Sequence, residues 1–124
     1  VKQNADIIKK GWGSEIIFAN NDKYCGKLLT FNKGSKFSMH FHLLKDETWY
    51  LNSGKILLKW IDTRDASKHE MLLEPGDVWR NKPCEPHQVE AIEDSVIFEV
   101  STTHYDYDSY RIEPGDSQKN KGLF

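Results

Sequence analysis

The sequence predicts an all-β domain, a sandwich or barrel built of many short strands, and three observations predict it. Glycine and proline recur at short intervals, at Gly26, Gly34, Gly54, Pro75-Gly76, Pro83, Pro86 and Pro114-Gly115. The segments between them are rich in Ile, Leu, Val, Phe, Trp and Tyr, side chains that suit a pleated, half-buried surface. None of these segments is long enough to sustain the apolar repeat of an amphipathic helix.

Taken in order, strands are expected over residues 15–19, 27–31, 36–42, 48–52, 55–62, 70–73, 77–80, 88–91 and 95–101. In the third, Ser38, His40 and His42 alternate with Phe37, Met39 and Phe41, so a period of two puts the polar set on one face with Lys36 and the apolar set, continued by Leu43, on the other. A polar face of that kind lines a wet cavity, and the apolar face packs as core. Between the fourth and fifth strands, Asn52-Ser53-Gly54 reads as a hairpin turn. Between the sixth and seventh, Glu74-Pro75-Gly76-Asp77 reads as a tight turn in which proline presets φ and glycine takes φ > 0. Tyr105, Tyr107 and Tyr110, interleaved with Asp106 and Asp108, read as a strand clamping the barrel or as part of a dimer contact. The polar tail over 116–124 is expected to be loosely held unless Leu123-Phe124 dock.

A chain of 124 residues is read as one domain. Seventeen Lys+Arg against nineteen Asp+Glu give a net charge of −2, without the basic field that a nucleic-acid partner requires. No apolar stretch approaches a membrane span, and the polar N-terminus lacks the apolar stretch of a signal peptide, so a cytoplasmic protein is expected, although the chain begins at Val1 and a removed leader remains open. Two cysteines, Cys25 and Cys84, are too few to staple a secreted fold and are expected as reduced thiols, Cys25 in the core.

The densest chemistry lies between Met39 and Glu47, where His40 and His42 precede the carboxylate of Glu47. Imidazole nitrogens with one carboxylate suit a first-row divalent metal. His87 could close such a site from a neighbouring strand. The competing reading of an HxH pair is two histidines satisfied by water or core. Cys84, three residues before His87, would put a thiolate near the metal, against the plainer reading of a small buried loop residue. His69 and His104 read as surface residues.

The spacing Gly34, five residues, His40-Phe41-His42, four residues, Glu47, six residues, Gly54 resembles the first motif of the cupin superfamily at every fixed position. Pro75-Gly76-Asp77, with His87 eleven residues after the glycine, resembles the second. Cys84 stands where that motif usually has glycine, and Ala91 where an asparagine often closes it. The resemblance implies a double-stranded β-helix, a jelly-roll barrel with core motifs over 34–91, that binds one divalent ion (Zn, Mn, Ni or Fe) through His40, His42, Glu47 and His87.

Beyond the motifs, Lys10-Gly11-Trp12-Gly13-Ser14-Glu15, Gly26-Lys27-Leu28-Leu29 and the segment from Glu99 to Glu113 resemble small mannose-6-phosphate isomerase-like cupins, in whose relatives Trp49 has a counterpart. That subtype implies aldose–ketose interconversion of a sugar or sugar phosphate, with Glu47, Glu99 or Glu90 as the base. Lys27, Lys36 and Arg111 are the candidates for a substrate phosphate, and Lys27 and Lys36 read equally as surface charges. Gln88 stands where an arginine often follows the histidine. Two other classes stay open: a dioxygenase or a dimethylsulfoniopropionate lyase, in which a tyrosine commonly occupies the position of Trp49, and a non-enzymatic metal- or sugar-binding module whose cavity is closed by Trp49, Trp60 and Trp79. An exposed N-terminal strand implies a homodimer pairing edge to edge.

Overall fold

The computed structural model describes residues 1–119. It contains eleven strands: β1 (Asp6–Lys10), β2 (Gly13–Asn20), β3 (Cys25–Phe31), β4 (Met39–Phe41), β5 (Glu47–Ser53), β6 (Ile56–Asp62), β7 (Ser67–Leu73), β8 (Val78–Asn81), β9 (His87–Ala91), β10 (Ser95–Ser101) and β11 (Tyr110–Glu113). They form a six-stranded sheet, in the order β1-β2-β3-β10-β5-β8, and a five-stranded sheet, in the order β11-β4-β9-β6-β7. Every pairing is antiparallel, and the chain passes repeatedly from one sheet to the other, which is the jelly-roll architecture expected. Among the described residues, no helix is long and apolar enough to cross a membrane.

The inward register of each strand explains where core ends and chemistry begins. On β5 it runs Leu51, Trp49, Glu47; on β10, Ile97, Glu99; on β3, Phe31, Leu29, Lys27; on β9, Ala91, Val89, His87, and all of these are buried. One end of the sandwich is therefore apolar, with Leu51, Ile56, Leu58, Val89 and Ile97 at 0–1% exposure, and the other is ionisable. Apolar burial at the first end, worth ~25 cal/mol per Å², is what holds the second end together.

Several local expectations are corrected. Asn52-Ser53-Gly54 does not close a hairpin, because β5 pairs with β10 and β8 while β6 pairs with β7 and β9; the turn carries the chain from one sheet to the other. Pro75-Gly76 is the tight turn expected, closed by the Asp77 N–H on Glu74 O at 3.0 Å and the Glu74 N–H on Asp77 Oδ2 at 2.8 Å.

The alternation read over 36–42 breaks at Phe37-Ser38, where the strand is interrupted. Phe37 therefore joins the core and the inner face with His40 and His42, whereas Lys36 lies with Lys59, Lys68 and Met39 on the outer side of the five-stranded sheet. Phe41 stacks on Tyr110 and Leu43 is exposed, so neither belongs to the core.

Strands β1 and β11 were not anticipated at these bounds. The first has every residue exposed and forms the edge of its sheet, as an exposed N-terminal strand; the second has four residues. The tail is not loose at its start, since Asp116–Gln118 form a 3-10 turn. Asp116 Oδ2 there accepts the Lys36 N–H at 2.8 Å, and Ser117 Oγ accepts the Gly11 N–H at 3.0 Å. Leu123-Phe124 lie outside the described residues.

The two glycines of the first motif have different jobs. Gly34 (φ +81°) faces open space, so only its backbone conformation excludes other residues, whereas at Gly54 (φ +89°) a Cβ would also overlap Ser95 Oγ and the Asp94 carbonyl. Gly34→Ala is expected to cost ~1 kcal/mol of unfolding free energy and Gly54→Ala at least ~2 kcal/mol, measured by urea titration.

Candidate metal centre

His40 and His87 face each other across the β4–β9 pair, and His42 follows two residues later on the same side. The coordinating nitrogens of the three lie within 4.8 Å of one another. Each imidazole is held from behind by a carbonyl: His40 Nδ1–H donates to Ser38 O at 2.8 Å, His42 Nδ1–H to Asp108 O at 2.6 Å, and His87 Nδ1–H to Glu85 O at 2.8 Å. A carbonyl can only accept, so all three rings carry their proton on Nδ1 and turn an Nε2 lone pair inward. Burial, with His87 and His42 adding to it, pushes His40 well below the usual histidine range, and burial likewise lowers His42. Neutral rings are the form that binds a metal.

Glu47 completes the arrangement. Its Oε1 lies 2.9 Å from His87 Nε2 and 3.9 Å from His42 Nε2 and accepts from Asn81 Nδ2 at 3.3 Å, while Asn81 Oδ1 accepts the Trp79 Nε1–H at 2.9 Å. Burial opposes charge on Glu47, yet His87, Lys45 and His42 outweigh it and hold the carboxyl well below the usual carboxylate range. His87 Nε2 is buried with no hydrogen-bond partner. A lone pair facing a carboxylate oxygen at 2.9 Å is relieved by a positive centre, a proton or a metal ion, between or beside them. The donor set of three imidazoles and one carboxylate therefore fits a divalent first-row metal.

Behind this group lies a charged wall that the sequence reading missed in part. Lys45, 3% exposed, places Nζ 3.1 Å from Glu99 Oε2, 3.5 Å from Glu47 Oε2 and 3.3 Å from His104 Nδ1. Extending the inward register of β5 back by two residues reaches Lys45, and that was the available signal. Burial disfavours the Lys45 ammonium, but Glu99 and Glu47 raise it above the ordinary lysine value, so it stays charged. Glu99 moves the other way: burial and then Glu47 raise it, against Lys45 and Lys27. Trp49 Nε1–H donates to Glu99 Oε1 at 2.9 Å, which orients that carboxyl. The segment carrying Lys45 is tied down by Asp108, whose carboxylate accepts the main-chain N–H groups of Leu43 (2.8 Å), Leu44 (3.2 Å) and Lys45 (3.1 Å).

The cavity in front of these residues has a volume of about 240 Å³. Of the sequence candidates, His40, His42, Glu47, Trp49, Glu99, Lys27 and Arg111 line it. Lys27 is buried rather than a surface charge, and its Nζ is 2.7 Å from Glu15 Oε1. Arg111 stands opposite His40 on β11, at the open end with Lys10.

Lys36 and Glu90 lie outside the cavity, Glu90 paired with Lys59 at 3.1 Å, because their positions belong to the outer register of the five-stranded sheet. Cys84 is exposed, not buried, with φ +70°, and only its main-chain N–H reaches the site region, on His42 O at 2.6 Å. Trp60 and Trp79 pack on each other, centroids 4.9 Å apart, against the core and do not line the cavity. His104 does line it, contrary to its reading as a surface residue, whereas His69 is exposed and stacks on Trp60. Tyr105 and Tyr107 are exposed and stack on each other outside any strand.

No protein-family model matches the chain, and no curated protein matches it. Solved structures do. Oxalate decarboxylase from Bacillus subtilis aligns over 90% of this chain and 32% of its own at a TM-score of 0.72 and 14% identity. The capsular polysaccharide assembling protein CapF from Staphylococcus aureus aligns over 90% of this chain and 33% of its own, at 0.75 and 18%. KdgF from Halomonas sp. aligns over 85% of this chain and 90% of its own, at 0.66 and 20%. The chain thus spans about a third of the first two proteins and most of the third. At these identities the likeness is one of fold, and the fold is that of the cupins.

Replacing His40, His42 or His87 singly by Ala is expected to lower manganese or zinc affinity at least ~10-fold, read by calorimetric titration, with an unchanged β-type circular dichroism spectrum. Asp108→Ala is expected to remove ~2–4 kcal/mol of stability, because three main-chain donors lose a charged acceptor.

Proposed function

We propose that this chain is a metal-dependent cupin enzyme that moves a proton between adjacent carbons of a small polyhydroxyl carbonyl compound, an isomerase-like reaction on a sugar or sugar phosphate. One observation carries the reading: two buried carboxylates, Glu47 and Glu99, share the ammonium of Lys45 beside three inward-facing Nε2 atoms, and their environments push their proton affinities in opposite directions. Paired groups separated in this way are how one site supplies both an anion and an acid–base group.

His40, His42, His87 and Glu47 would hold a divalent ion, which when bound supplies Lewis-acid polarisation of a substrate oxygen. Manganese is the first ion to test, since the solved oxalate decarboxylase from Bacillus subtilis has Mn(II) centres. Glu99 takes and returns the substrate proton through Oε2, the oxygen not engaged by Trp49. Lys45 holds the Glu47 and Glu99 carboxylates in place. The apolar walls of Trp49, Leu29 and Phe37 limit the water around the reacting carbons.

Size narrows the substrate. A cavity of about 240 Å³ takes a short compound or the reacting end of a sugar. A phosphate on that sugar sits at the open end near Arg111 and Lys10, because Lys27 is already neutralised by Glu15 and Lys36 is on the outer side.

A second reading, a metal- or sugar-binding module without turnover, is favoured by the same lysine, since Lys45 lies within 3.5 Å of both carboxylates before any substrate arrives. The two separate in one experiment. Manganese-loaded protein is incubated in D2O with mannose, fructose and their 6-phosphates, and loss of the C2 proton signal of the aldoses and of a C1 proton signal of the ketoses is followed by NMR. The enzyme reading expects exchange that falls ~100-fold or more in Glu99→Gln at unchanged metal content. Exchange that persists in Glu99→Gln removes the base. Sugar binding with no exchange supports the module, and oxygen consumption by the iron-loaded form would turn the reading to a dioxygenase.

A further inference from the structure

The ammonium of Lys45 carries three N–H groups and no lone pair. At 3% exposure it cannot fill them from bulk water, and three acceptors surround it: Glu99 Oε2 at 3.1 Å, His104 Nδ1 at 3.3 Å and Glu47 Oε2 at 3.5 Å. The two carboxylates belong to the site already described. His104 lies outside both cupin motifs and takes no part in the proton transfer proposed above, yet its ring lines the cavity. Because Lys45 can only donate, His104 Nδ1 must be bare, and the ring carries its proton on Nε2, which donates to Asp106 Oδ1 at 3.0 Å. This is the opposite tautomer from His40, His42 and His87, which hold their protons on Nδ1.

The loop after β10 is built to deliver that ring. Thr102 is joined twice to Asp46, the residue beside Lys45: the Thr102 N–H donates to Asp46 O at 3.0 Å, and the Asp46 N–H donates to Thr102 Oγ1 at 3.1 Å. Thr103 Oγ1–H donates to Asn21 O at 2.7 Å. Asn20 then clasps His104 itself, its Oδ1 accepting the His104 N–H at 3.0 Å and its Nδ2 donating to His104 O at 3.1 Å. Electrostatics favour the neutral ring, since burial, Lys27 and Lys45 hold it below the usual histidine range against Asp106 and Glu15.

We propose that His104 is a positioning residue of this site: neutral, with Nε2–H on Asp106, it takes the third N–H of Lys45 and so fixes the ammonium against Glu47 and Glu99. The consequence for turnover rests on the proton-transfer reading above; the tautomer and the hydrogen bond do not. With its third N–H taken, Lys45 is a fixed counter-charge rather than a donor to substrate. Without that acceptor the ammonium turns to cavity water, and Glu99 loses a partner of constant geometry.

Nitrogen-15 NMR of the zinc-loaded protein at neutral pH reads both halves. The His104 ring is expected to show a bare Nδ1 and a protonated Nε2, and the Lys45 ammonium to give a cross-peak protected from exchange with water. His104→Phe is expected to broaden that cross-peak beyond detection, and His104→Asn, whose amide oxygen replaces Nδ1, to retain it. Asp106→Ala, at a fully exposed side chain that the fold does not need, is the second variant and is expected to speed exchange of the ammonium with water ~3-fold or more. In the D2O assay, His104→Phe is expected to lower kcat for substrate proton exchange ~10-fold with KM within ~2-fold, and His104→Asn to restore it. A His104 ring protonated on Nδ1 overturns the inference, as does a Lys45 cross-peak unchanged in both His104→Phe and Asp106→Ala, or substrate exchange at the wild-type rate in His104→Phe. Wild-type protein that exchanges no sugar removes the isomerase reading alone, since the Lys45 cross-peak still decides the hydrogen bond.

Discussion

Charge carried into the interior of one sheet is the constraint on which this structure depends. Lys27, Lys45, Glu47 and Glu99 are each 4% exposed or less, and stripping an ion of water costs several kcal/mol unless a partner compensates. The compensation is collective. Lys45 answers Glu47 and Glu99, and Lys27 answers Glu15, so neither lysine can be removed without leaving a buried carboxylate uncompensated. The apolar end of the sandwich supplies the stability against which this end is held.

Positioning is done by backbone as much as by side chains. Carbonyls of Ser38, Glu85 and Asp108 set the tautomer of the three histidines. The same Asp108 gathers the N–H groups of Leu43, Leu44 and Lys45 and so fixes the bend that delivers Lys45 to the carboxylates. One buried aspartate thereby couples a histidine to the charged wall. Contacts of this kind orient the side chains before any ligand binds.

Much of the site was legible because its parts are close in sequence or governed by period two. His40 and His42 share a face by alternation, and their spacing to Glu47, together with the Pro75-Gly76-Asp77 turn and His87, carries the cupin resemblance. Phe37 shows the limit of that logic. Alternation through Phe37-Ser38 put Lys36 on the cavity face and Phe37 on the opposite, core-packing face; one interruption in the strand moves Lys36 to the outer side and brings Phe37, still in the core, to the side of His40 and His42. Asn52-Ser53-Gly54 shows a second limit: a turn signal identifies the bend but not whether the chain returns to the same sheet or crosses to the other.

By itself the sequence determined the all-β class, most of the strands, the tight turn at Pro75-Gly76 and the histidine pair with its carboxylate, since each is encoded in neighbours a few residues apart. Tertiary structure decided that His104 belongs to the site, that Lys36 does not, and that Asp108 anchors the loop. Those contacts join residues 50 to 66 positions apart, such as Trp49 with Glu99 and His42 with Asp108. Local periodicity holds no record of them, because which strand lies beside which is settled by packing two sheets around a common core.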